Sequence, residues 1–361
     1  MLKYVLMLGI TFGVSTASLG FAEQPMTLHP DVVRLNFRAP GRVCLLRDGR
    51  FTCVAKGKVL VSNNDGRSWT PVGKIPAGPG PAVVGGLLIE SSNGTLVCLY
   101  RDDAGLKLER TPDNLPLPGA QLNVWCVRST DGGRNWSDHR RLIDGYCGAI
   151  IDGIGTRLGK IVIPLQELRY DPPRHVTVVF LSDDEGETWQ RSDDLDIGGR
   201  GIEDGCFEAT VAERADDRLV MMLRTPRERL WKSESRDSGV TWTQPVPTNI
   251  SSSNSPAYLH SLKSGRLALI WNPLHPPGKP NWPRRIKPRY AQQPDSVYRE
   301  ELLMAFSSDG GMSWTKPMRI AKQPGAKLRY GYFFERHPGE IWLALRGQWL
   351  RIDPTKFKVE R

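Results

Sequence analysis

Past its first two dozen residues, this 361-residue sequence has no apolar run approaching the roughly 18 residues that a membrane span needs. It has no C-x-x-C, no H-E-x-x-H and no other spacing that would hold zinc. The segment GIGTRLGK (153–160) only looks like a phosphate loop, because its glycine spacing is wrong and Ile161 stands where Ser or Thr is required. Helical periodicity is almost absent. These absences leave no metal or cofactor to expect and turn attention to a β protein.

What is present begins with a leader-like segment. Met1-Leu2-Lys3 precedes the apolar run Tyr4 to Val14, and small residues lead to Gly20-Phe21-Ala22. A basic start, an apolar centre and a small-residue exit read as a secretory signal peptide over 1–22, cleaved after Ala22. The other reading of this segment is a first core strand or a retained anchor. Cleavage leaves residues 23–361 as a single soluble, exported domain, secreted or periplasmic, with no linker to an attached binding module. The six cysteines (Cys44, Cys53, Cys98, Cys126, Cys147 and Cys206) allow disulfides in an exported chain, or buried free thiols where they sit in apolar runs. The formal net charge of +10 favours acidic partners, and export points to acidic glycans rather than nucleic acid.

One octapeptide recurs five times: SNNDGRSW at 62, STDGGRNW at 129, SDDEGETW at 182, SRDSGVTW at 235 and SSDGGMSW at 307. All fit S-x-D-x-G-x-x-W except the first, which carries Asn64 at the Asp position. Asp before Gly suits a tight turn in which the carboxylate accepts backbone N–H groups and Gly takes a positive φ. Around the copies run short apolar strands such as 176–181 (VTVVFL), 219–224 (LVMMLR) and 266–271 (RLALIW). Repeat starts 53 to 72 residues apart, each unit holding four short strands, predict an all-β, six-bladed β-propeller with one blade lacking the motif. The repeat Asp residues are therefore structural. Residues 273–294 (PLHPPGKPNWPRRIKPRYAQQP), with seven prolines and five Lys or Arg, break the rhythm and read as a long loop between blades.

Propellers gather functional residues at one end of the central channel, from different blades. Charged residues closing strands between the repeats are thus the candidates: Arg38 in Phe37-Arg38-Ala39-Pro40, Glu208, Arg224 sixteen residues later, Arg299 eight residues before the last octapeptide, and Tyr332.

The octapeptides resemble the Asp-boxes of sialidases (neuraminidases), and Phe37 to Pro40 resembles their F-R-I-P motif with Ala for Ile. The order F-R-x-P, three boxes, Glu, Arg, Arg, Tyr is also similar to theirs and spans nearly all of the chain after the leader. The resemblance implies an exo-α-sialidase-like glycoside hydrolase acting on an acidic glycan or sialoglycoconjugate. It implies that Arg38, Arg224 and Arg299 grip the sugar carboxylate, a role suited to planar, permanently charged guanidinium groups. It also implies that Tyr332 is the nucleophile and Glu208 its base, with retention of configuration. A neutral phenol approaching a carboxylated anomeric carbon avoids the repulsion a carboxylate would meet, but its pKa of about 10 requires a base. Tyr330, two residues earlier, is a rival, and an aromatic filling the channel is the plain alternative for Tyr332.

One expected part is missing. Sialidases carry an acid/base Asp on a loop after the second strand of the first blade, whereas here no carboxylate lies between Phe51 and Asn64. Asp102 or Asp103 in the next blade would have to replace it, with Glu203-Asp204 a second option. Two further readings stay open: a hydrolase of another acidic sugar (a uronate or another nonulosonate), and an Asp-box propeller that only binds acidic glycans. A purely structural propeller would leave the ordered Arg and Tyr set unexplained.

Overall fold

The computed structural model describes residues 24–356, so the leader segment 1–22 lies outside the described residues. Six small antiparallel sheets follow one another along the chain, and no α-helix occurs among the described residues. Blade 1 runs from Cys44–Leu45 through Phe51–Ala55 and Lys58–Ser62 to Thr70–Lys74. Blade 2 spans 87–143, blade 3 154–191, blade 4 207–251 and blade 5 258–322. Blade 6 takes three strands, Tyr332–His337, Glu340–Leu345 and Gln348–Ile352, from the C-terminal part. Its fourth strand, Val32–Leu35, comes from the N-terminal part and pairs Val32 with Ile352 and Leu35 with Trp349. The ring is closed by this hydrogen-bonded pair. A further short strand, Thr27–Leu28, adds an edge to blade 5.

Blades pack face to face, so most inner and middle strands are apolar on both sides. In Ile161–Tyr170 the odd-numbered Ile161, Ile163 and Leu165 pack against blade 2 together with Leu87, Val97 and Leu99. The even-numbered Val162 faces blade 4 with Leu219, Met221 and Leu223. The period-2 alternation of a strand therefore serves two cores at once, which is why runs such as VTVVFL show no polar alternation. All six cysteines are free thiols, and five are buried in these interfaces. Burial pushes the Cys53 thiol up to about 11, so it behaves as a small apolar side chain.

The five octapeptides occupy the turns between third and fourth strands of blades 1 to 5. In the second copy Asp131 accepts the Asn135 and Arg134 N–H groups at 2.9 and 3.0 Å, and Ser129 Oγ accepts the Gly133 N–H at 2.9 Å. Hydrogen bonds from Asn135, its backbone N–H foremost, hold the Asp131 carboxyl down at about 2. Trp136 Nε1 donates to Gly133 O at 2.9 Å and covers the turn. Since strand one of each blade runs the same way, these turns lie at the end of the ring opposite to the starts of the inner strands. The Pro-rich 273–294 segment was expected between blades. It lies within blade 5 instead, between Leu267–Trp271 and Glu301–Ser307, because both of those strands pair in one sheet.

Phe37 fixes blade 1 to blade 6. Its ring packs edge-on against Trp349 at 4.7 Å and Trp342 at 5.4 Å, and rests over Gly66 of the first octapeptide. A Cβ at Gly66 would overlap that ring, whereas one at Gly311, with a similar positive φ, would meet nothing closer than 3.7 Å. Gly66→Ala should therefore destabilise the fold by about 1 kcal/mol or more beyond Gly311→Ala in equilibrium denaturation. Equal losses would show that φ strain alone sets the cost.

Candidate active site

The charged residues expected from the sequence sit at starts of first strands, ends of second strands or starts of third strands, which in this antiparallel order is one end of the ring. Glu208 begins the inner strand Phe207–Glu213 at a β-bulge and has φ +47°. The bulge turns its carboxylate off the regular pleat. Arg224 closes the paired strand opposite Phe207, stacking over that ring at 4.5 Å. Arg224 Nη1 donates to Glu208 Oε2 at 2.5 Å, its Nε to Asn254 Oδ1 at 2.6 Å, and its Nη2 to Glu203 Oε2 at 3.3 Å.

The other Glu208 oxygen receives a phenol. Tyr330 Oη donates to Glu208 Oε1 at 2.7 Å. Tyr330 precedes the strand Tyr332–His337 and has φ +57°, a strained value for a bulky residue. Tyr330 as a whole residue is 45% exposed, while its phenol is desolvated against Glu208. That desolvation, followed by the Glu208 charge, pushes the phenol up to about 12. Tyr332, the tyrosine expected here, points elsewhere: its Oη accepts the Val43 N–H at 2.9 Å, and its ring lies under Arg42 at 4.5 Å. The two-residue separation puts the two rings to different uses. A tyrosine followed by glycine immediately before a strand was the available signal for Tyr330.

Arg299 is 7% exposed and donates from Nη2 to the Asn254 carbonyl at 2.6 Å. Asn254 thus anchors both guanidinium groups, one through its side chain and one through its backbone. No carboxylate lies within ion-pairing distance of Arg299 among the described residues, and its buried Nε has no hydrogen-bond partner there. Burial first, then the neighbouring Arg224, push Arg299 down to about 10. A buried cation without a counter-ion is a site for an anion.

Arg38 does not join this group. Its side chain is exposed while Phe37 is buried, because the F-R-x-P segment spends its inward position on the blade 1–blade 6 contact. Arg42, four residues on, lines the cavity of about 640 Å³ that Tyr330, Arg101, Asp103, Tyr258 and Tyr332 also line. Arg42 Nη2 donates to the Ile151 carbonyl at 2.7 Å.

Of the replacement acids, Asp102 is spent on its own turn, accepting the Gly105 N–H at 2.7 Å. Asp103 faces the cavity, pairs with Arg101 at 3.0 Å, and keeps 71% of its side chain exposed. Asp204 is buried and accepts the backbone N–H groups of Gly205, Gln292 and Arg200 at 2.7 to 3.0 Å. Against its desolvation, Arg224 and Arg285 hold the Glu203 carboxyl down at about 2, so it carries no proton to give. The first-blade connection that lacks an acid is a two-residue turn, Lys56–Gly57, with φ of +52° and +73°. Among the described residues no group of His, Cys, Asp and Glu is placed to hold a metal ion.

The profile of the BNR repeat-like domain matches residues 58–343. The chain belongs to that family. No curated protein matches it. Among solved structures, a protein of unknown function from Dyadobacter fermentans superposes with a TM-score of 0.58 at 17% identity, covering 90% of this chain and 100% of that one. The NanB sialidase of Streptococcus pneumoniae gives 0.58 at 12% identity, with 93% and 71% covered. The intramolecular trans-sialidase of Ruminococcus gnavus gives 0.53 at 14% identity, with 91% and 96% covered. At these identities the likeness is one of fold: this BNR-repeat chain is built as sialidases are.

Replacing Arg299 by a side chain of similar length without charge tests the unpaired cation. Arg299→Met should raise Tm by a few degrees, since a desolvated charge is removed. A fall in Tm would mean that the single bond to Asn254 outweighs the cost of burying the charge.

Proposed function

We propose that the protein is an exported exo-glycosidase that releases a terminal acidic sugar, sialic acid foremost, with retention of configuration. The observation that carries this reading is the Tyr330–Glu208 hydrogen bond of 2.7 Å beside the unpaired Arg299 guanidinium. Arg299 takes the sugar carboxylate. Arg224 flanks it and orients Glu208 through their hydrogen bond, and Arg42 supplies the third cation in place of Arg38. Glu208 accepts the phenol proton as Tyr330 Oη bonds to the anomeric carbon and the bond to the aglycone oxygen breaks. Asp103 gives its proton to that departing oxygen. Water then attacks the glycosyl-tyrosine intermediate, Asp103 takes a proton from it, and the phenol recovers the proton held by Glu208. The raised Tyr330 pKa makes this base obligatory, because almost no phenolate exists at neutral pH.

A fluorinated sialic acid that forms a slow glycosyl-enzyme tests the nucleophile. Tyr330→Phe should abolish covalent labelling seen by intact-protein mass spectrometry, and Tyr332→Phe should label at the unsubstituted rate. The reverse pattern would return the role to Tyr332.

The solvent-exposed, ion-paired state of Asp103 favours a second reading, in which acid catalysis is weak and the propeller chiefly binds acidic glycans. The two diverge on substrates with different leaving groups. Asp103→Asn should lower kcat/KM for sialyl-lactose by about 10²-fold and leave kcat/KM for an aryl sialoside nearly unaffected, while kcat for the aryl sialoside falls because release of the glycosyl-tyrosine loses its base. Binding of both without cleavage of either, by the unsubstituted protein, would establish the binding-only reading.

A further inference from the structure

The Pro-rich segment 273–294 is tied to the wall of the site. The Ile202 and Glu203 N–H groups donate to the Arg289 and Tyr290 carbonyls at 3.0 and 2.7 Å, and Arg285 Nη2 pairs with Glu203 Oε2 at 2.8 Å. Glu203 in turn contacts Arg224, so only one residue separates the segment from the clamp. Arg285 also pairs with the buried Asp295 at 2.5 Å, and Arg284 pairs with Glu228. These bonds hold the segment in one place.

Beside this anchorage lies a second cavity, of about 540 Å³, lined by Arg200, Ile286, Lys287, Pro288, Arg289, Leu115 and Asp113. Three cations there face one carboxylate. Arg200, Lys287 and Arg289 make no ion pair among the described residues, although Arg284 and Arg285 of the same segment do. Among the described residues Arg289 Nε is shut off from solvent without a hydrogen-bond partner, and the guanidinium meets only Tyr290, through an Nη2 bond to its Oη at 3.3 Å and over its ring at 4.8 Å. Exposed Ile286, at 75%, adds an apolar face between the charges. Folding that spends two arginines on anchorage and leaves three neighbouring cations unpaired builds a binding surface for a chain of anions.

We infer that this cavity is a subsite for a second acidic unit of the glycan, beyond the sugar held at Arg299, so that the preferred ligand is an anionic oligosaccharide. The assignment rests on the acidic-sugar reading of the first site for its position in the ligand. The cations themselves do not depend on that reading. Guanidinium and ammonium groups pair with carboxylate or sulfate, while Ile286 and Pro288 offer contact to the apolar face of a sugar ring.

The test uses the full-length Tyr330→Phe protein, so that ligands stay intact, and isothermal calorimetry with the trimer of sialic acid and with its methyl glycoside. The trimer should bind about 10-fold more tightly or better. Adding Arg200→Ala, Lys287→Ala and Arg289→Ala should remove that advantage and leave the methyl glycoside unchanged. The single Lys287→Glu change should weaken the trimer alone, should the triple variant fold poorly. A trimer that binds no better than the single sugar, or an advantage that survives both variants, overturns the subsite. An oligonucleotide of equal charge that binds as tightly and loses affinity in the variants overturns its assignment to glycans. Loss of the trimer's affinity in the variants, with no methyl glycoside binding in any of these proteins, leaves the subsite standing and removes the acidic-sugar reading of the first site.

Discussion

Everything at the end of the ring that carries Glu208 and Tyr330 depends on closing the ring. The pairing of Val32–Leu35 with Gln348–Ile352 joins the two ends of the described chain in one sheet. Phe37, immediately after, wedges the first blade against the last. Glu208 and Arg224 come from blade 4, Arg299 from blade 5, Tyr330 from the lead into blade 6 and Asp103 from blade 2. No pair of adjacent blades holds them all. The site therefore exists only when the whole circuit is made, and its geometry inherits the rigidity of six apolar interfaces between blades.

Within that frame the electrostatics are arranged by a few shared atoms. Asn254 holds Arg224 and Arg299 side by side, Glu208 sits between Arg224 and Tyr330, and Glu203 stands between Arg224 and Arg285. Arg224 is neutralised by protein carboxylates and Arg299 is not. That asymmetry sets two neighbouring guanidinium groups apart: one is bonded to Glu208, and the other has no protein counter-ion among the described residues. The positive φ values of Glu208 and Tyr330 cost about 1–3 kcal/mol each, and the backbone retains them at the two residues that meet.

The propeller was legible in the sequence because its punctuation is chemical. In blades 1 to 5 Ser, Gly and Trp recur where the third strand turns into the fourth, with Asp in all but the first, and the hydrogen bonds of Asp131 and Ser129 show why each type is needed. Glu208, Arg224 and Arg299 could be picked out as polar residues ending apolar strands. That Tyr330 rather than Tyr332 meets Glu208, and that Arg42 rather than Arg38 reaches the cavity, depends on where the backbone bends, of which the glycine after Tyr330 is the one trace in the sequence. Asp102 and Asp103 are adjacent and chemically alike, yet one caps a turn and the other faces the cavity. The place of residues 273–294 inside a blade depended on strand pairing across a long insertion, which local pattern does not reveal.

The stacking of Arg42 over Tyr332, at 4.5 Å, and toward Tyr258, at 5.9 Å, has a consequence for the cavities beside it. These three side chains line both the cavity beside Tyr330 and a neighbouring one of about 590 Å³, so they stand at the boundary between the two. Any shift of this stack reshapes both cavities together.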